Sequence, residues 1–159
     1  MPRISNEEKQ RKQQELNSIV LELFLSEGIH AITYTEVAKR YNTTKSAIQR
    51  YYPAHSDFVH VLDAKLLPLV IDTLDWKTEA KFIQSWKKAL NDETCTRFRK
   101  VIEFLFADAV GAGTSPVTFD AVAKLRLLIR DKFDDDSIFY QLMGESFSVI
   151  VMKKRAQIH

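Results

Sequence analysis

The sequence has little of what disulfide-stapled, metal-clustered or membrane proteins need. One cysteine, Cys95, excludes an intrachain disulfide framework and a Cys-based zinc cluster within one subunit, and it suits a reducing compartment. Four glycines and four prolines are too few for a low-complexity or collagen-like chain. No stretch approaches the roughly 18 uninterrupted apolar residues that span a bilayer, and the first fifteen residues are polar and charged rather than apolar. The expectation is a soluble, cytoplasmic protein without membrane attachment. Net charge is only +2, less than gripping nucleic acid by bulk charge alone requires. Strand-type alternation is absent over any useful length, and no internal repeat is visible.

Enzyme signatures are missing too. There is no phosphate-binding Gly-rich loop, no HExxH, no GxSxG and no carboxylate pair that stands out from helix surfaces. Gly111 and Gly113 match nothing specific. His30, His55, His60 and His159 lack metal-ligand spacing, and Asp134, Asp135 and Asp136 lack the ordered spacing of a calcium loop and read as a solvated run. Cys95 reads as an inert thiol rather than an oxidant sensor. No enzyme, cofactor or metal is expected.

What is present is helical. With 45% apolar residues, 159 residues suffice for one modest domain or a small module fused to a second. Leu16, Ile19, Val20, Leu23 and Phe24 recur at i, i+3, i+4, i+7 and i+8, predicting a helix from about Asn6 to Ser26 that Gly28 ends. Thr33 and Glu36 form a capping box, predicting a short helix from about Tyr34 to Tyr41. Asn42 tolerates the left-handed conformation of a tight turn, and Thr44 caps a second short helix to about Tyr52, which Pro53 stops. A longer segment opens at Ser56 and carries Phe58, Val61, Leu62, Leu66, Leu69 and Val70, with Pro68 kinking or shortening it. Further helices are predicted at about 78 to 90, 95 to 110, 117 to 133 and 137 to 156, with the break at 111 to 116 and the aspartate run as loops. The fold class is all-α with about eight helices, divided into residues 1–55 and 56–159.

Charge distribution says more than its sum. From Val37 to Ser56 lie Lys39, Arg40, Lys45 and Arg50 and no acidic residue, and a second basic cluster comprises Arg3, Lys9, Arg11 and Lys12. That cluster reads equally as a phosphate-binding arm or as a solvated leader. Two short helices joined by a tight turn, the second basic and a longer helix in front, form a helix-turn-helix pattern. Val37, Ala38, Tyr41, Ala47 and Ile48 are suited to hold the pair, which leaves Lys45, Ser46, Gln49, Arg50 and Tyr51 on or beside the face free for base edges and phosphates. The plain alternative is a helical hairpin with a solvated basic face.

The block from Ile19 to Phe58 resembles the N-terminal DNA-binding domain of the TetR family of transcriptional regulators. Leu23 and Phe24, Glu27 and Gly28, Thr33, Val37 and Ala38, the turn from Asn42 to Lys45, and Ile48 through Tyr51, Tyr52 and Pro53 carry the resemblance. It covers about a third of the chain. Four positions depart from it, since the family usually has Gly at Asn42, Gly at Ser46, Tyr at Gln49 and Lys at His55. The usual Tyr reaches DNA where Gln49 stands, so a difference in the contacted sequence or in phosphate geometry is expected, and His55 is expected to make a weaker, pH-sensitive phosphate contact than Lys would. Thr33, Thr44 and His55 join Lys45, Ser46, Gln49, Arg50 and Tyr51 as the candidate DNA-binding residues.

The resemblance further implies a homodimer whose C-terminal domain forms a four-helix interface and binds a small molecule that releases the operator. The implied partners are double-stranded DNA, a second copy and a small apolar or amphipathic effector. Dimer candidates are Val122, Leu125 and Ile129 on one helix and Phe139, Leu142, Met143, Phe147 and Ile150 on the other, with Gly144 permitting close approach. Among the aromatics of this half, Phe82, Trp86, Phe104 and Phe119 are candidates to line an effector pocket, although such aromatics at helical spacing also read as core. The C-terminal segment is shorter than is common in the family, which implies a missing helix and a small or absent cavity. The rival reading is a helical protein-interaction adaptor or occlusion factor that uses DNA as a tether.

Overall fold

The computed structural model describes residues 3–111 and 115–158. The middle of the expected break at 111–116 and His159 lie outside the described residues. The described residues form nine α-helices, one 3-10 turn and no strands. They divide into two compact units, Met1–Asp63 and Ala64–His159.

The first unit contains α1 (Asn6–Glu27), a 3-10 turn at Ile29–Ala31, α2 (Tyr34–Arg40), α3 (Lys45–Tyr51) and α4 (Ser56–Val61). Its first three helices start where a hydroxyl takes a free amide of the first turn. Ser5 accepts from Glu8 N at 3.2 Å, Thr33 from Glu36 N at 3.1 Å and Thr44 from Ala47 N at 3.2 Å. Helix α1 stops at Gly28, whose φ of 93° suits a residue without Cβ and whose N–H donates to Phe24 O at 2.8 Å. Between α2 and α3, Asn42 adopts φ 55°, the left-handed turn that asparagine tolerates. Leu16, Val20, Leu23 and Phe24 of α1 are fully buried together with Val37, Ile48 and Phe58. Each such side chain contributes about 1.5–3 kcal/mol by leaving water.

The unit boundary falls eight residues beyond the expected division at 55/56. The reason is Phe58, whose ring lies 4.7 Å from Tyr52 and 5.0 Å from Tyr34, so that α4 belongs to the core built by α1 to α3. The single segment expected from Ser56 to Val70 is two helices. α4 ends at Val61, residues 62–65 form a turn with Ala64 at φ 58°, and α5 (Leu66–Thr73) begins afresh. Pro68 falls in the first turn of α5, where a helix has no use for its missing N–H, so it neither kinks nor ends the helix.

The second unit adds α6 (Glu79–Asn91), α7 (Arg97–Ala109), α8 (Pro116–Phe133) and α9 (Ser137–Ala156) to α5. Helix α6 packs on α7 and α9, and α8 packs on α5, α7 and α9. At the centre, Trp86 meets Phe98 edge-on at 5.0 Å, and its indole N–H donates to Ser146 Oγ at 2.8 Å, so the one polar atom of a fully buried ring is satisfied. Arg99, 7% exposed, pairs with Glu93 at 3.2 Å and Glu103 at 3.8 Å and donates to Leu90 O, which fastens the α6–α7 corner. Among the described residues no helix is long and apolar enough to cross a membrane.

Candidate nucleic-acid interface

Helix α3 is held from its buried side. Ile48 is fully buried, the N–H of Tyr52 closes the last turn on Ile48 O at 2.9 Å, and Tyr34 donates its hydroxyl to Tyr52 O at 2.7 Å. Helical spacing from Ile48 turns Ser46 and Arg50 to the opposite face, with Lys45 and Gln49 on one flank and Ala47 and Tyr51 on the other. Lys45, Ser46, Gln49 and Arg50 are exposed, and Lys45 and Arg50 form no ion pair among the described residues.

The other sequence candidates take different positions. Thr33 and Thr44 are exposed, but their hydroxyls already accept from the amides they cap. His55, at the start of α4, has Nε2 3.1 Å from Ile32 O. A carbonyl only accepts, so that nitrogen donates, and the ring stands edge-on to Phe58 at 5.4 Å. Arg40 is spent within the unit, bonded to Glu27 at 3.2 Å and Glu36 at 3.0 Å.

Sequence reasoning did not bring together the two basic clusters. A cleft of about 890 Å³ lies between the start of α1 and the α2–α3 pair, lined by Arg3, Lys9 and Lys12 from one side and Tyr41, Arg50 and Tyr51 from the other. The signal in the sequence was the basic leader itself, but nothing in its spacing fixes which distant residue it meets.

The residues proposed for the second unit divide by burial. Phe82 and Trp86 are fully buried and Phe104 is 5% exposed, whereas Phe119 is 66% exposed on α8. Trp86 borders a groove of about 510 Å³ with Leu90, Gly144 and Val149, and a wider groove of about 740 Å³ is lined by Trp76, Ser85, Lys77, Lys88 and Lys132. Of the dimer candidates, Leu125, Ile129, Phe139 and Leu142 belong to the unit's own core, because α8 and α9 use that side to pack on their neighbours. Val122, Met143 and Ile150 are half-buried and Phe147 is open. Tyr140, Phe147 and Val151 share the outer side of α9, and Leu127 and Leu128 are open on α8. Gly144 sits in the same stripe, and a Cβ there would meet nothing within 4 Å.

An all-α chain with a small helical unit that carries a locally basic face and a second, five-helix unit is thereby defined. A family described as the tetracycline repressor LuxT C-terminal domain matches residues 63–151, more than half of the chain and nearly the whole second unit. The chain belongs to this tetracycline-repressor-like family, and its class is that of transcriptional regulators. No curated protein matches it.

Proposed function

We propose that this regulator is a cytoplasmic, sequence-specific DNA-binding repressor. α2 and α3 act as a helix-turn-helix, and a homodimer presents one α3 to each of two successive major grooves of a palindromic operator. The observation that carries the reading is the outward face of α3, where Ser46, Gln49 and Arg50 stand exposed on a helix whose other side is locked by Ile48. Arg suits the acceptor pair of guanine and Gln the donor and acceptor of adenine. Two-fold pairing on B-DNA requires the two α3 helices to lie about 34–36 Å apart, or a longer multiple.

The open stripe of Tyr140, Gly144, Phe147 and Val151 supports pairing through α8 and α9. A glycine inside a helix costs about 0.5–1 kcal/mol relative to alanine, and packing within the unit makes no use of it. Effector release belongs to the same reading. The groove bordered by Trp76, Lys77, Lys88 and Lys132, with Asp75 and Asp92 also in its wall, offers an indole edge and charges of both signs to a small amphipathic molecule. Such a molecule must favour the DNA-incompetent arrangement by about 1.4 kcal/mol for every tenfold loss of operator affinity. The reading assigns the chain no catalysis and no cofactor.

The test is selection of bound duplexes from a random DNA pool by the purified protein. A two-fold symmetric consensus is expected. No enrichment at low salt would remove the repressor reading and favour an adaptor that works through the apolar stripe.

A further inference from the structure

The basic leader and α3 are separated by some forty residues, yet they form opposite walls of one cleft. Its composition is one-sided. Arg3, Lys9, Lys12 and Arg50 supply four cations, and among the described residues no carboxylate lines it. Two nearby acidic groups are held by residues of its walls, and one of them neutralises Lys12. Glu8 pairs with Lys12 at 3.5 Å, while Glu15 accepts from the Tyr41 hydroxyl at 2.7 Å and pairs with Arg11 at 3.7 Å. That contact with Glu15 pushes the Tyr41 phenol above its ordinary pKa, so it stays protonated. Arg3, Lys9 and Arg50 form no ion pair among the described residues.

Gathering unpaired cations in a concave site raises their mutual repulsion, which an anion entering the cleft relieves. The Tyr51 side chain lies on the flank of α3 next to Arg50, so the cleft continues directly from the face proposed to read bases. A strand tracked by that face carries one phosphate about every 3.4 Å. We infer that this cleft seats phosphates of the DNA strand bordering the groove that α3 enters, with Arg3 and Lys9 closing on the backbone opposite Arg50. The inference rests on the DNA-binding reading and deepens it. The leader then contributes affinity and positioning but no sequence preference.

The test measures binding of the selected duplex across a salt series for the full chain and for Arg3→Ala, Lys9→Ala and the exposed control Lys81→Ala. Each lost phosphate contact should lower the salt slope by about 1 and weaken binding by about tenfold near 0.1 M salt, with the selected consensus unchanged. Lys81→Ala should match the parent. Unchanged slope and affinity in both leader variants overturn the inference while leaving the DNA-binding reading intact. If the parent binds no duplex, it is the DNA-binding reading that fails. A pyrophosphate titration followed by amide NMR then decides the cleft. Shifts at Lys9, Thr43 and Arg50 that disappear in Lys9→Ala keep a phosphate seat filled by a free phosphate ester, and the absence of such shifts overturns it.

Discussion

The Tyr52 hydroxyl donates to Asn17 Oδ1 at 2.6 Å, joining the end of α3 to the middle of α1 across 35 residues. Tyr52 is 2% exposed, and burial pushes its phenol far above the ordinary range, so it remains a neutral donor. Asn17 in turn accepts from Gln13 Nε2 at 3.1 Å, which holds the amide in register. The bond sets where α3 stands on α1, and therefore where Arg50 stands relative to Lys9 and Lys12.

Breaking it from the α1 side strands a buried hydroxyl. Asn17→Ala is expected to cost about 1–3 kcal/mol, whereas Tyr52→Phe, which leaves no buried hydroxyl without a partner, should cost about 1 kcal/mol. Chemical denaturation of both single variants and the double variant checks this. Strictly additive costs would mean that the two side chains are not coupled.

On the outer side of α3, Arg50→Ala is expected to weaken operator binding by about 1–3 kcal/mol and to relax preference at one base position. Lys45→Ala should weaken binding evenly across sequences. Parallel selections with the two variants distinguish them, and identical enrichment profiles would remove Arg50 from base reading.

For the second unit, Phe147→Asp places a charge in the open stripe of α9 and gives up only an edge-on contact with Phe106 of α7 at 5.9 Å. Light scattering is expected to report a monomer with unchanged helical content. Gly144→Ala makes a sharper test. In the monomer it should stabilise the helix by about 0.5–1 kcal/mol, because the added methyl meets nothing, yet it should weaken a dimer whose helices cross there. Stabilisation with unchanged dimer affinity would move the crossing elsewhere.

One acid-sensitive contact lies at the α6–α7 corner. The Lys153 ammonium, and then the Arg99 guanidinium, hold Glu93 below the ordinary carboxylate range. A carboxyl with a depressed folded pKa stabilises the fold above its unfolded pKa of about 4.3, and that contribution is lost as pH falls toward the lower folded value. Thermal unfolding recorded from pH 6 downward should therefore show a shallower acid decline in Glu93→Gln than in the parent. Equal slopes would show that Glu93 does not titrate differently on folding.

Most helix limits were legible because they are local. The predicted helices at 6–26, 34–41 and 78–90 appear as Asn6–Glu27, Tyr34–Arg40 and Glu79–Asn91, each begun by a Ser or Thr that caps its own first turn. The break between α4 and α5 was not legible. It turns on Ala64 in a left-handed conformation, a residue with no preference for it, and Pro68 drew attention four residues too late. Burial on α8 and α9 was half legible. Periodicity marked Leu125, Ile129 and Leu142 as apolar, but a helical stripe does not say whether its own unit or another molecule covers it.

The sequence by itself determined the helices other than the division of α4 from α5, the capped pair α2–α3 and the outward character of Ser46, Gln49 and Arg50, since capping and the 3.6-residue period act within a few residues. Only the tertiary structure decided that Phe58 and α4 join the first unit, which apolar side chains of α8 and α9 remain open, and that Arg3 and Lys9 face Arg50. These outcomes depend on side chains far apart in the chain meeting in one core, where packing favours one arrangement over others that local preference leaves equal.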